Sequence, residues 1–287
     1  FLAAIVLITG AIGFYRQVKY MQNRDLGVKI EQTLVVQQTA NTDSTMIPSF
    51  NAFINDMKAN PVVKSVTTST SVPGGEIGGS SSYYLKNSLS GKRCRNLGVD
   101  KEFIPAYGLS VVAGRNFTND HPAVDTNILV NILLNETAVT IFGFHKNEDA
   151  IGQYIDDGSG FHYKVIGVVK DWHQESLANS FDPVVFYPEE ERNLGNFSLK
   201  FNTTNLPAFM DFVKQKWSVY YPQSPFRFLF LDERFNAQYK NDQLFATVLW
   251  LFTAFAITIA CLGLFGLSLF TIAKRNKEIS IRKVLGA

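Results

Sequence analysis

Acidic and histidine side chains that could bind a metal or transfer protons are concentrated in two short stretches. The stretch KDWHQES places Asp171, His173 and Glu175 at alternate positions, which would bring all three to one side of an extended strand and could form a metal site. It also directly follows the strand-like run YKVIGVV. A polar loop anchored by Trp172 explains the same residues without a metal, and we favour that interpretation.

The second stretch, IDDGSG, pairs Asp156 with Asp157 beside two glycines. Paired carboxylates can bind a metal or act as an acid and a base, but Asp and Gly are also typical of a β-turn, which we favour here. The glycine-rich stretch GGEIGGS lacks the lysine that follows the last glycine of a phosphate-binding loop. The sequence contains no G-x-S-x-G, H-E-x-x-H or Walker A pattern. We therefore expect no catalytic residue, no cofactor and no metal site.

The overall charge argues against a nucleic-acid partner. The 287 residues carry 27 Lys and Arg against 25 Asp and Glu, a net charge of +2, whereas nucleic-acid-binding domains concentrate basic residues on one face. The apolar residues are concentrated at the two ends of the chain, and the middle has the composition of a soluble domain. The two cysteines, Cys94 and Cys261, fall in the middle and in the second apolar run, so we expect no disulfide.

The apolar ends predict membrane helices. Residues 244–273 contain no charged side chain and would form a helix of about 45 Å, longer than a bilayer core of about 30 Å. The opening stretch FLAAIVLITGAIGF is shorter than the roughly 20 residues of a spanning helix, and no basic residue precedes it as in a secretory signal. We expect a spanning helix cut at its front, and a chain that is a fragment at both ends. Five basic residues and one acid follow within ten residues after Ala273, which favours the cytoplasm for 274–287 and the outside for the middle domain.

The middle contains two similar β-α-β patterns. In IPSFNAFINDMKANP and LPAFMDFVKQKWSVYYP a proline, Pro48 or Pro207, opens a run in which aromatic residues recur at helical spacing. Strand-like runs flank both, so we predict an α+β class with one split βαβ domain. A long, mostly β insertion separates its halves and contains one short helix at NETAVTIFG, which Asn135 caps and Gly143 ends.

Several stretches resemble the patterns of one membrane protein family. They are FIPAYGLSVVAGRNFT, ILVNILLNETAVTIFGF, YKVIGVVKDWHQESL and the terminal EISIRKVLGA. Their order and spacing resemble FtsX-like or MacB-like ABC transporter permeases over nearly the whole chain, and YRQVKYMQNRDLG resembles the start of the second module of two-module permeases. The family's Asn-Glu pair is better matched by Asn135-Glu136 than by Asn131, with Ile132-Leu133-Leu134 as a departure from its compact pattern.

The resemblance implies a permease subunit that is not itself an enzyme. It would couple ATP hydrolysis by a cytoplasmic ABC ATPase to conformational change of an extracytoplasmic domain, in export or mechanotransmission of a peptide, drug or lipoprotein. The implied partners are that ATPase, a second permease module or a homodimer partner, the membrane and a periplasmic adaptor. The implied location is the inner (plasma) membrane, crossed several times, with the middle domain in the periplasm.

The expected organisation, with a porter-like split domain, has seven parts. These are a truncated transmembrane helix (1–14), a stalk helix (15–27), a split βαβ subdomain (28–72 and 193–232), an inserted β-rich subdomain (73–192), a second stalk helix (233–243), a transmembrane helix (244–273) and a truncated coupling helix (274–287).

The terminal segment is the expected contact with the ATPase. Ile281, Val284 and Leu285 lie at i, i+3 and i+4 and would form an apolar stripe, while Glu278 can pair with Arg282. The full set of expected coupling residues is Glu278, Ile281, Arg282, Lys283, Val284, Leu285 and Gly286. A simple positive-inside anchor would explain the charges but not the stripe.

Two other functional classes remain open at this stage. A two-span membrane receptor with an extracytoplasmic sensor domain would show the same flanking spans, but would continue into a signalling domain rather than further spans. A membrane-anchored hydrolase is disfavoured because the nucleophile motifs are missing.

Overall fold

The structure is a computed structural model, and it falls into two compact units that are described separately. One unit comprises Phe1–Arg24 with Gln238–Ala287, and the other comprises Asp25–Ala237. The described residues are 2–23, 26–38, 47–85, 88, 90–118, 120, 129–158, 160–174, 180–189, 194–238 and 240–284.

The first unit consists of two helices, α1 (Leu2–Asn23) and α7 (Lys240–Val284). They pack together, with the rings of Phe14 and Phe245 edge to face at 5.1 Å between centroids. Within the described residues, α7 is the one helix with a stretch, Leu244–Arg275, that is long and apolar enough to cross a membrane. The first expected span, residues 1–14, stays a prediction.

One part of the second unit is an antiparallel sheet of four strands in the order β11-β1-β10-β2, covered by two helices. Its elements are β1 (Thr33–Gln37), α2 (Ile47–Ala59), β2 (Val63–Ser69), β10 (Asn196–Phe201), α5 (Leu206–Tyr220) and β11 (Arg227–Phe230). The predicted helical spacing buries aromatic side chains against the strands, and the ring of Phe53 lies 5.2 Å from Phe197 and 5.5 Å from Trp217. These rings belong to one hydrophobic cluster.

The remaining strands of the second unit form a ring. The elements are β3 (Gly79–Leu85), β4 (Lys92–Val99), α3 (Phe103–Ala106), β5 (Val111–Gly114), β6 (Leu129–Asn135), α4 (Glu136–Ile141), a 3-10 helix (Asn147–Ala150), β7 (Tyr154–Asp156), β8 (His162–Val169) and β9 (Val184–Pro188). Pairing runs β4-β3-β7-β8-β6-β9, and β9 then pairs in parallel with β4, which closes the ring. The outer strand β5 pairs with β8.

A shared core connects the ring to the four-stranded part. Trp172 and Phe186 contribute to it with ring centroids 5.2 Å apart, and so does Leu231, the first residue of α6 (Leu231–Gln238). The hydroxyl of the fully buried Tyr107 donates to Ser198 Oγ of β10 at 2.8 Å. Segments far apart in sequence therefore form one folded unit.

The expectation of mixed helix and strand content is confirmed, and so is the short helix at NETAVTIFG, although α3 and the 3-10 helix also lie between residues 73 and 192, where one helix was expected. The side chain of Asn135 accepts a hydrogen bond from the amide of Ala138 and caps α4, and Gly143 follows the helix with φ +87°. The described part of α1 ends at Asn23, within the stalk helix expected over residues 15–27.

Candidate functional site

Asp171, the first of the three candidate metal ligands, is an acceptor within the protein. Its carboxylate accepts hydrogen bonds from the Thr137 amide (3.1 Å), the Thr137 hydroxyl (2.8 Å) and Asn135 Nδ2 (2.7 Å). The ring of His173 instead stacks on Phe181 at 4.5 Å, and Glu175 lies outside the described residues. Among the residues that the structure describes, no group of three His, Cys, Asp or Glu side chains could hold a metal ion.

Asn135 joins three elements at the end of β6. Its Nδ2 donates to Asp171 and to the carbonyl of Asp182 (2.8 Å), while its Oδ1 accepts from the amides of Ala138 (3.0 Å) and Val184 (2.7 Å). The residue is buried, so these four bonds replace water. Burial raises the pKa of Asp171, and the hydrogen bonds from Thr137 and Asn135 oppose that rise. In this protein Asn135 and Asp171 therefore have a structural role.

The Gly-Arg pair in VVAGRNFT has a separate packing role. Gly114 has φ +71°, and a Cβ there would collide with the carbonyl oxygen of Ile166. The opposing Gly167 would collide in the same way with the carbonyl oxygen of Arg115. The two glycines therefore permit β5 to lie directly against β8, where the Arg115 amide donates to Ile166 O at 3.0 Å.

The side chain of Arg115 forms a bidentate pair with Asp120, both bonds being 3.1 Å long. Burial tends to raise the pKa of Asp120, but hydrogen bonds from Arg115, the Thr118 amide and Asn131 outweigh it and lower the pKa to about 2. Sequence analysis missed this pair. The arginine of the motif and an acid five residues later were the available signal.

Removing this pair should weaken the protein more at neutral than at acid pH. The pKa of Asp120 is lower in the folded protein than the value of about 3.9 expected in the unfolded chain, so its ionised carboxylate stabilises the fold above that pH. This stabilisation is lost as the pH falls towards about 2. We expect Arg115→Met to lower the free energy of unfolding by roughly 1–2 kcal/mol at pH 7, because the arginine is half exposed and screened. Chemical unfolding of the full chain between pH 7 and pH 2 measures this. The control is Arg93→Met, since Arg93 donates to Ser80 Oγ; an equal loss from Arg115→Met at both pH values would contradict the assignment.

The expected coupling residues from Glu278 to Val284 lie at the end of α7. Ile281 and Arg282 are exposed, and the helix backbone continues without a break from the apolar stretch through residues 278–284. Leu285 and Gly286 lie outside the described residues. The expected coupling helix (274–287) therefore continues α7 as far as Val284, and its role stays a prediction.

The sequence model of one family matches this chain over residues 2–218: the MacB-like periplasmic core domain. The match covers most of the chain, so the protein belongs to the MacB-like periplasmic core domain family. These are periplasmic domains of MacB-like and FtsX-like ABC transporter permeases, which are transporter components rather than enzymes. No curated protein sequence matches the chain.

Three solved structures are similar to it at low sequence identity. The periplasmic region of MacB from Actinobacillus actinomycetemcomitans is 16% identical, with 74% of this chain and 94% of that chain covered and a TM-score of 0.49. A domain of a protein described as a permease from Porphyromonas gingivalis is 14% identical (72% and 90% covered, TM-score 0.46). The extracellular domain of the noncanonic ABC-type transporter YknZ from Gram-positive bacteria is 16% identical (63% and 88% covered, TM-score 0.39).

Proposed function

We propose that this chain is part of a permease subunit that couples ATP hydrolysis by a cytoplasmic ABC ATPase to conformational change of its periplasmic domain. The observation that carries the proposal is the family match over residues 2–218, followed by the apolar helix α7 with its basic end. This conformational change would serve export or mechanotransmission of a peptide, drug or lipoprotein. A second permease module or homodimer partner and a periplasmic adaptor complete the assembly.

In this proposal the protein crosses the inner membrane several times. Residues 1–14 belong to one span and residues 244–273 to the next, with 274–287 in the cytoplasm. The basic excess after Ala273 supports this orientation, because positive charge next to a span favours the cytoplasmic side. The parts β1-α2-β2 and β10-α5-β11 then form the porter-like subdomain, and the ring of strands corresponds to the insertion.

The contact with the ATPase is assigned to the end of α7. Ile281 is 55% exposed, and Val284 and Leu285 follow at the spacing that extends an apolar stripe along the same helix face. Arg282 and Lys283 add charge for an acidic groove or for the anionic inner leaflet. An apolar stripe that begins at the exposed Ile281 and lies beside basic residues suits docking to a soluble partner.

Changing Val284 and Leu285 together to Asp should abolish this docking. Burial of a side chain of this size contributes roughly 1.5–3 kcal/mol, so we expect the ABC ATPase retained by the full-length permease in a pull-down to fall at least about tenfold. Membrane insertion should be unchanged, because the apolar stretch of α7 is untouched.

The matched control is Ile279→Asp with Ser280→Asp, which adds the same two charges to the same segment away from the stripe. Full ATPase binding by a normally inserted Val284/Leu285 variant would leave the segment as a positive-inside anchor only. Failure of the unsubstituted permease to retain any ABC ATPase would instead favour the alternative, a two-span receptor with a periplasmic sensor domain.

A further inference from the structure

One loop of the second unit, Trp172–Gln174, contacts the segment that follows α1 directly and is connected to α6, which precedes α7, through a glycine turn. The segment Leu26–Gly27 follows α1 in the chain, and α6 precedes α7. A glycine turn, Val72–Gly75, lies between the loop and α6. The chain enters and leaves the unit at this place.

α6 is held tightly to the glycine turn. The Nε atom of Arg234 donates to the carbonyl of Gly74 at 2.7 Å, and the ring of the buried Phe235 packs on the same glycine. A Cβ on Gly74 would lie 2.8 Å from Phe235 Cε2, and one on Gly75 would lie 2.9 Å from Arg234 Nη2. A side chain at either position would have to displace Phe235 or Arg234, so the two glycines favour the close approach of α6.

The other side of the turn is bonded to Gln174. Gln174 Nε2 donates to the carbonyls of Val72 (2.9 Å) and Gly75 (2.8 Å). The backbone carbonyl of Gln174 accepts from the Gly74 amide at 2.6 Å. Its Oε1 accepts from Trp172 Nε1 at 3.0 Å. Four hydrogen bonds therefore fix one side chain and its backbone between the turn and the buried Trp172.

The segment after α1 is bonded to the same loop. The His173 amide donates to the carbonyl of Leu26 at 2.9 Å, and Gly27, with φ +74°, lies against the backbone of Asp171 and Trp172. Asp171 in turn bonds Thr137 and Asn135 at the start of α4. A continuous set of short contacts thus runs from α6, through the turn and the loop, to Leu26 and to the ring of strands.

We propose that these contacts act as a connection clamp, formed by Leu26, Gly74, Trp172, Gln174 and Arg234. It makes both connecting segments move together and transmits their movement to the ring through Asp171. The inference rests on the proposed function for the source of movement, namely ATP hydrolysis by the partner. In this role Arg234 and Gln174 hold the glycine turn in position and do not contact a transported molecule.

Hydrogen exchange of the full chain in lipid nanodiscs tests the clamp without nucleotide. In Arg234→Met we expect the amides of Gly74 and His173 both to exchange at least about tenfold faster, because loss of the bond to Gly74 loosens the whole set. Arg234→Lys, which keeps a donor and the charge, should restore most of the protection. The control Arg227→Met removes an exposed arginine of β11 and should change neither amide.

Faster exchange at Gly74 with unchanged exchange at His173 would overturn the clamp, because the two connections would then be independent. If Arg234→Met unfolds, as judged by exchange in β8, the same criterion is applied to Gln174→Leu. Unchanged exchange at both amides in a folded variant also overturns the proposal.

A second measurement adds the partner ATPase and ATP. In the unsubstituted complex we expect ATP to change exchange in α6 and at the Thr137 amide, and in Arg234→Met to change it in α6 alone. An ATP effect on Thr137 of full size in Arg234→Met would refute transmission through the clamp. Absence of any ATP effect in the unsubstituted complex would refute the proposed function, while the nucleotide-free comparison still decides whether the two connections are linked.

Discussion

Gly114→Ala is expected to lower the free energy of unfolding by roughly 2–6 kcal/mol and Gly167→Ala by roughly 1–3 kcal/mol or more, losses that can prevent folding of a marginally stable domain. Either added methyl group would collide with a carbonyl oxygen of the facing strand, Ile166 O or Arg115 O. Backbone cannot give way as a side chain can, so β5 would have to separate from β8. At Gly114 the positive φ adds strain of about 1–3 kcal/mol.

Alanine substitutions at two other glycines distinguish the effect of a steric collision on stability from the effect of backbone strain. Gly143 has φ +87° but open space around its Cα, so Gly143→Ala should show the strain alone, about 1 kcal/mol. Gly78 has open space and no positive φ, and Gly78→Ala should be neutral. Chemical unfolding of the four variants, together with their yield in the membrane, measures the series. If Gly167→Ala were as stable as Gly78→Ala, the close crossing of the two strands would be disproved.

Replacing Asn135 should have the next largest effect. Asn135→Ala removes four hydrogen bonds, and leaves the buried amides of Ala138 and Val184 without their acceptor. At roughly 1–3 kcal/mol for each unsatisfied buried group, we expect a loss of about 3–5 kcal/mol. The control is Asn205→Ala at the start of α5, where the side chain accepts one exposed bond from Ala208; that loss should be about 1 kcal/mol. Equal losses at the two caps would show that the other bonds of Asn135 add nothing.

Asn135→Asp adds a dependence on pH with a definite sign. The new carboxylate keeps the two accepted bonds but faces the carboxylate of Asp171, whose pKa burial already raises. Two adjacent carboxyls share a proton more readily in the folded state, so the folded form binds more protons than the unfolded form. Stability of the variant should therefore rise as the pH falls from 7 towards 5, whereas Asn135→Ala, which adds no second carboxyl beside Asp171, should recover less. Unfolding curves at the two pH values distinguish them.

The parts of this fold that local chemistry controls could be predicted from the sequence. α2 and α5 follow from a proline in the first turn and from aromatic residues at helical spacing, and α4 follows from Asn135 and Gly143. The closure of the ring could not be predicted, because the parallel pairing of Arg95 in β4 with Val184 in β9 joins residues with no local signal for each other.

The candidate site shows the same division. The motif positions Asn135 and Asp171 were recognised, but not that they bond each other, since hydrogen-bond partners on separate elements are set by tertiary packing. Gln174 and Arg234 are ordinary polar residues in sequence. The pair Gly74-Gly75 that both contact stands out in the sequence only as part of the glycine-rich stretch GGEIGGS. No Gly or Pro interrupts α7 after Gly266, so the helix continues from the apolar stretch as far as Val284, and the role of its last residues stays a prediction.

The sheet order also determines how long β1 exists during synthesis before its neighbouring strands have been made. Among the described strands, β1 pairs with β10 and β11, and its Gln37 meets Asn196, 159 residues later in the chain. At about 5–20 residues per second, a ribosome takes roughly 8–30 seconds to make that interval. During this time β1, with its apolar Leu34, Val35 and Val36, has been made without either of its sheet neighbours. The nascent chain must therefore be shielded from aggregation for most of the production of this domain, and a pause in translation before residue 196 would lengthen that exposure.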